Sequence, residues 1–403
     1  MEMTRSLVEF YDRDPLGNIV SLLQGAYREV IYVCFAGANE PDRRERAALS
    51  RWVTKRFGIP CRFLELPEHC IDCALKHFRD LLRCEGGCYD FDITGGSSVF
   101  IAAAGTLMAE CGEGRMCIHE YNPVTGECLY CYPPNVPCLS GADDKGVEVT
   151  EFLALRDIGL LGGKAPIRYS MQENGLGNDL LRLWEAVRGE LRAWNAFCNT
   201  SSDFRREAGG VRMTKAMSAG EYRSCQVIFS LLEKAGLLHS FEFKRERDRL
   251  RLTAHLNISY RSAFLYAKAG NLLELLMYRA ACESGLFTDC CTGVKLDWSG
   301  RLPNPGGNPN NEIDLVLMRG HVPCFVSCKN TGVTKEYLYE IMVMTRHFGG
   351  IHAVPMVFST VQVNGAVRAR AAEMGVVLLD GIGKLSAAET VQQLRVLCSK
   401  QKK

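Results

Sequence analysis

The sequence predicts an α/β protein. A parallel, doubly wound sheet is expected at the N-terminal end, a helical and hairpin-forming segment in the middle, and a second α/β unit towards the C-terminus. Three observations carry this. Residues 6–122 alternate short apolar runs with helix-period segments through short connections, the pattern of repeated β-α-β units. Residues 176–262 change to long helical periods followed by a charged hairpin. From 267 onward a helix, a strand, a hairpin and then alternating helices and strands follow.

In order, strands are expected at 6–11, 30–37, 61–66, 88–94 and 116–122, with helices at 15–27, 43–57, 74–84 and 97–112. Residues 1–137 form the first domain on this reading. Residues 138–175, weakly periodic with Gly141 to Gly146 and Gly162-Gly163, read as a linker with one short apolar segment. Within 176–262, helices are expected at 178–198 and 218–236, the latter ended by Gly236. Two strands around a charged turn then occupy 237–256, and helix plus basic hairpin resembles a winged-helix element. The third unit spans 263–385, with helices at 267–285, 334–350 and 363–375 and strands at 291–299, 353–360 and 376–381. A C-terminal helix or tail occupies 386–403.

Charge is divided unevenly. Residues 1–150 hold 15 Lys and Arg against 22 Asp and Glu, and the remainder 33 against 24. The basic remainder is the better candidate for touching a polyanion. No apolar run is long enough to span a bilayer and the N-terminus lacks a signal-peptide pattern, so a cytoplasmic protein without membrane contact is expected. In that compartment the 19 cysteines should be reduced. Two CxxC pairs, Cys70/Cys73 and Cys128/Cys131, lie on an apparent helix and an apparent strand and read as buried thiols before a zinc site.

The chemistry concentrates in 311–330. Ile313, Leu315 and Leu317 alternate with Glu312, Asp314 and Val316, and Cys324, Val326 and Cys328 alternate with Phe325, Ser327 and Lys329. Gly320-His321 between them suits a two-residue hairpin turn, whose first position needs positive φ. Such a turn places Arg319 opposite Val322, Asp314 opposite Ser327 and Glu312 opposite Lys329, and opposed residues share a face. Two carboxylates, a hydroxyl and an amine on one face fit a hydrolytic site in which carboxylates hold Mg²⁺ or Mn²⁺ and Lys329 orients water or stabilises charge on a phosphate. A solvated Glu–Lys cross-strand pair is the plain alternative.

A second junction is Asp92-Ile93-Thr94-Gly95-Gly96-Ser97-Ser98, where a strand passes into a helix through two glycines and three hydroxyls. Exposed helix N–H groups there favour a phosphate, although a well-capped turn needs the same residues. Similar strand ends at Asp14, Pro15, Leu16 and Asn18, and at Ala36, Gly37, Ala38 and Asn39, make up with Thr94–Ser98 one anionic-ligand crevice.

The helix with Glu274, Asp314 on the hairpin, and Ser327-Cys328-Lys329 where (D/E)xK is expected resemble the PD-(D/E)xK, restriction-endonuclease-like nucleases. The closing RARAAEMGVVLLDG is similar to the last helix and strand of their Mrr-like branch. The N-terminal Rossmann-like pattern with DITGGSS resembles a CARF domain, and the pairing resembles the CRISPR ancillary nucleases, the Card/Can group. The resemblance implies a homodimer that binds a cyclic oligoadenylate, most often the tetramer, and cleaves RNA or DNA with a metal ion in type III CRISPR defence. It implies Glu274, Asp314, Ser327 and Lys329 as catalytic residues, and a metal-holding set drawn from Glu274, Asp314, Cys328, Glu312 and Glu340. Because Ser327 replaces the motif glutamate, Glu312 or Glu340 must supply the missing carboxylate. The alternative is a ligand-responsive nucleic-acid-binding regulator with an inactive nuclease fold.

Overall fold

The structure, a computed structural model, describes residues 5–37, 39–84, 88–110, 115–133, 146–161, 164–172, 175–246, 249–297 and 311–399. The first unit runs β1 (Ser6–Phe10), α1 (Val20–Gln24), β2 (Glu29–Phe35), α2 (Glu40–Phe57), β3 (Cys61–Leu66), α3 (Ile71–Cys84), β4 (Tyr89–Asp92), α4 (Ser98–Glu110), β5 (Met116–Tyr121) and β6 (Cys128–Tyr132). Its strands lie in the order β3-β2-β1-β4-β5-β6, parallel except for β6. Every residue of β1 is buried, as expected of a central strand covered by helices on both faces. The order reverses direction at β1, so the carboxyl ends of β2, β1 and β4 lie side by side at the switch point.

The expected helix over 15–27 shortens to α1, because Pro15 to Ile19 form turns held by the side chains of Asp12, Asp14 and Asn18. The stretch read as a linker carries α5 (Val149–Leu155), in which Val149, Phe152 and Leu153 are buried. They join a core that also holds Leu7 and Trp52 from the first unit and Val316, Phe325 and Phe348 from the last. Residues 141–145, 162 and 163 lie outside the described residues.

The middle segment contains α6 (Leu176–Val187), α7 (Leu191–Cys198), β7 (Ser202–Glu207), β8 (Gly210–Met217), α8 (Ala219–Lys234), β9 (Leu238–Glu246) and β10 (Arg249–Leu256). The expected single helix over 178–198 is divided by a 3-10 turn at Arg188–Glu190. A four-stranded antiparallel sheet, β7-β8-β10-β9, carries α8, capped by the reciprocal Ser218 and Glu221 bonds. The β7–β8 hairpin escaped the periodicity because Lys215 faces inward, donating to the Phe197 carbonyl from a site where the pattern calls for an apolar residue.

The last unit comprises α9 (Ala269–Ser284), β11 (Asp289–Leu296), β12 (Asn311–Arg319), β13 (Val322–Lys329), α10 (Lys335–Gly349), β14 (Val354–Ser359), α11 (Gly365–Glu373), β15 (Val377–Leu379) and α12 (Ala387–Ser399). Its sheet follows the order β11-β12-β13-β14-β15. Gly320 takes φ +64° at the hairpin turn, and the register has Arg319 facing Val322 and Met318 facing Pro323. The turn docks on the first unit, where His321 Nε2 lies 2.8 Å from the Pro123 carbonyl. Among the described residues no helix is long and apolar enough to cross a membrane.

Candidate functional site

The β12–β13 ladder ends at Leu315 and Val326, one residue before Asp314. There the side chain takes over from the backbone: Cys328 N donates to Asp314 Oδ2 at 2.6 Å. The carboxylate is thereby fixed where the two strands part. Asp314, Ser327, Glu312 and Glu340 line one cavity of about 70 Å³, closed by Ile341 and Met344 of α10. The ladder does not carry on to set Glu312 against Lys329. Glu312 faces Lys295 on β11 instead, with Lys295 Nζ 3.5 Å from its Oε2. Both of those side chains are substantially exposed, so the pair contributes little to stability.

Electrostatics tie the remaining residues to this cavity. Burial, then the charges of Asp314 and Glu312, push the Glu274 carboxyl up to about 7, against the opposing pull of Lys268 and Lys329. Burial also raises Asp314, partly offset by the Cys328 N–H and by Lys329. Lys329 Nζ sits 4.4 Å from the centroid of the Tyr337 ring, a cation–π seat that holds the amine in place. Cys328 alternates to the other face and packs in the core around α9, where burial holds its thiol protonated. Its sulfur is therefore a poor metal donor, since a ligating thiol must lose its proton.

Among the described residues no three His, Cys, Asp or Glu side chains form a ready metal cage. The donor set still suits Mg²⁺ or Mn²⁺. Hard ions of this kind are commonly held by one or two carboxylates with water and substrate phosphate completing the shell, and the mutual repulsion of Glu274, Asp314 and Glu312 is what a cation would relieve. Cys73 Sγ lies 3.7 Å from His77 Nδ1 on α3, whereas Cys128 and Cys131 lie on edge strand β6.

At the switch point of the parallel sheet, Asp12 organises the turns. Its Oδ2 accepts from Gly96 N at 3.0 Å and its Oδ1 from Asp14 N at 2.8 Å. Gly96, at φ +82°, presses on Phe10 so closely that a Cβ would lie 2.4 Å from that side chain, so only glycine fits. Thr94 Oγ1 accepts from Tyr121 N, and Ser97 Oγ from Val99 N. Gly95 packs on Asp12, and Ser98 opens α4, exposed. Ala36, Gly37 and Ser97 line a crevice of about 240 Å³ together with Tyr11, Arg13 and Arg46.

Other expected ligand residues are spent on the scaffold. Asn39 caps α2, Asn18 bonds both backbone groups of Asp12, and Pro15 and Leu16 are buried. Asp14 Oδ2 accepts from Ile351 N at 2.7 Å, tying the crevice loop to the end of α10. Ala38 lies outside the described residues. Arg13, Arg46 and Tyr337 escaped the sequence reading because single cations and aromatics on separate elements leave no periodic signal.

A glycine-turned crevice on a doubly wound sheet, joined through a common core to a mixed sheet with an acidic cavity, defines the class of architecture. No protein-family model matches the chain, and no curated protein matches it. Two solved structures are similar end to end. One is the protein VC1899 from Vibrio cholerae, with TM-score 0.69, 16% identity and 98% of each chain covered. The other is Can2 from Sulfobacillus thermosulfidooxidans in complex with cyclic tetra-adenylate, with TM-score 0.61, 14% identity and 98% of each chain covered. At these identities the fold is what is shared.

Proposed function

We propose that the protein is a cyclic-oligoadenylate-activated, metal-dependent endonuclease of type III CRISPR defence, cutting RNA or DNA as a homodimer. The observation that carries this is Asp314, fixed where β12 and β13 part, in a cavity with Glu312, Ser327 and Glu340 and within electrostatic reach of Lys329. In this reading residues 1–137 sense the ring and residues 263–385 cut. The cocrystallised ring of Can2, a protein of similar fold, supports cyclic tetra-adenylate as the activator.

Asp314, Glu274 and either Glu312 or Glu340 would hold Mg²⁺ or Mn²⁺, which when bound supplies Lewis-acid polarisation of the scissile phosphate. Lys329, seated over Tyr337, orients the attacking water and stabilises negative charge gathering on the phosphate oxygens. Ser327 lines the same cavity and can donate a hydrogen bond to substrate or water. Arg13 and Arg46 bring positive charge to a ring seated over the α4 N-terminus. Activation requires the ring to bind the cutting arrangement better than the resting one.

The test is incubation of the purified protein with plasmid, single-stranded RNA, Mn²⁺ and a panel of cyclic oligoadenylates of different ring sizes. Substrate loss that depends on one ring size is expected. Salt-sensitive binding without cutting, under every ring, would instead make the chain a ligand-responsive regulator.

A further inference from the structure

A groove of about 650 Å³ runs along the carboxyl ends of β13 and β14 beside α7. It starts where Lys329 ends. Asn330 is the next residue, and Thr360 N donates to the Lys329 carbonyl at 3.1 Å. Arg192, Asn195, Asn330, Thr360 and Lys384 line it, and among the described residues no acidic side chain does.

Two of the three cations lining the groove are uncommitted. Arg188 at its rim bonds Glu185 at 2.8 Å and the Lys384 carbonyl at 3.0 Å. Arg192 and Lys384, both exposed, have no acidic partner among the described residues. Polar groups are also left over: Asn195 Oδ1, Asn330 Oδ1 and Thr360 Oγ1 are buried without a partner, and Thr360 is only 5% exposed. Such groups cost stability unless something satisfies them. Gly189 and Gly332 would each project a Cβ into open space, so the backbone there admits close approach.

The same residues are bonded to the start of α9. Asn195 Nδ2 donates to the Asn330 carbonyl at 3.2 Å, and Asn330 Nδ2 donates to the Ala269 carbonyl at 2.5 Å. Ala269 opens α9, the helix that carries Glu274.

We infer that this groove holds the sugar–phosphate backbone of a single nucleic-acid strand next to the bond that is cut. The inference rests on reading the neighbouring cavity as a phosphodiester-cleaving site, and it names where that site takes hold of its substrate. Unpaired cations meet phosphates; amides and a hydroxyl meet sugar and phosphate oxygens and hydroxyls. Among the described residues no aromatic side chain lines the groove, so base stacking finds no platform on them and backbone contact tolerates any sequence. Its volume falls within the roughly 300–1,000 Å³ of pockets that enclose small ligands, which suits a short stretch of single strand and not a duplex.

The experiment uses the full chain with divalent ions chelated, so that strands bind without being cut. Fluorescein-labelled RNA and DNA strands of one sequence are titrated by anisotropy across a salt series. The Arg192→Ala/Lys384→Ala double variant is compared with wild type and with Arg205→Ala/Arg206→Ala, which removes equal charge from β7. Both groove residues are exposed, so the fold should survive, and unchanged melting and ring affinity verify this. The groove variant should lose about tenfold in affinity. Its dependence of log affinity on log salt should become shallower by about 1.4, which is about 0.7 for each of the two single-strand phosphates that the variant no longer neutralises. The β7 variant should bind like wild type. Equal losses in both variants, no loss in the groove variant, or no strand binding by wild type would each overturn the groove. Cutting by wild type with unaltered binding by the groove variant removes the groove alone. Groove-dependent binding by a chain that never cuts removes the nuclease reading alone.

Discussion

Asp314, half-buried within β12, and Asp92, buried at the end of β4, are both shielded carboxylates, and their surroundings give them different work. Asp314 meets a strand N–H and the charge of Lys329, both of which favour its ionised form. Asp92 is fully buried beside Glu9, whose own carboxyl is driven up by burial and by Asp92. Burial takes Asp92 from its usual 3.8 to about 7, although the Thr94 N–H bonded to its Oδ1 pulls the other way. Ser21 Oγ donates to the same carboxyl, and His119, 3.9 Å away, is lowered to about 4 by burial and then by Arg5, so it stays neutral near pH 7. A proton that the folded state holds more tightly than the unfolded chain adds stability. For Asp92 that stability is complete below about pH 4 and is lost as pH rises through about 7. His119 acts oppositely, costing stability as pH falls below its unfolded value. We therefore predict that Asp92→Asn melts progressively higher than wild type as pH is raised from about 5 to 8, by an amount on the order of a few kcal/mol at the alkaline end. Parallel melting curves across that range would show that Asp92 does not hold its proton. At this scale the sequence was legible where spacing carries meaning: alternation singled out Asp314 and Ser327, and the glycine turn set the register from Arg319–Val322 as far as Leu315–Val326, where the ladder stops short of them. The partner of Glu312 was not legible, because β11 reaches it only across residues 298–310.

α10 joins the two sites within one chain. Its Tyr337 seats Lys329, and its Glu340 and Met344 line the acidic cavity. At its far end Arg156 donates to the His347 carbonyl at 3.2 Å and to the Arg13 carbonyl at 3.1 Å, while Ile351 N reaches Asp14. Under the proposed function, a ring that shifted Arg13 in the crevice would pull on the end of a helix whose other turns wall the cavity. We predict that Arg156→Ala keeps ring affinity and unstimulated cleavage but lowers ring-stimulated cleavage about tenfold, within the usual range of coupling energies. An unchanged ratio of stimulated to unstimulated rates would exclude this connection. Helix existence was readable from the apolar period over 334–350. The ties at its ends were not, because Arg156 lies in a stretch whose composition resembles a linker, and only burial of Phe152 and Leu153 reveals that it belongs to the core.

Across the whole molecule, the first and last sheets share one hydrophobic core through α1, α5 and α10, so the N-terminal and C-terminal units do not hang as beads on a string. Residues 1–150 carry an acidic balance and the rest a basic one, and under the proposed function the first would meet the ring through backbone amides and a few arginines and the second would meet the strand through its charge. The α/β fold class followed from the alternation of strand and helix periods, whereas the strand order came only from the structure. The shared core did not, because contacts between units leave no local pattern. The most direct measurement is ring-stimulated cleavage by wild type, Asp314→Ala and Lys329→Ala in Mn²⁺, with ring affinity recorded for each. Both variants should fall by at least a hundredfold while binding the ring as wild type does, since a lost transition-state charge of this kind costs about 3 kcal/mol or more. Undiminished cleavage in either variant would place the chemistry somewhere other than the end of the β12–β13 hairpin.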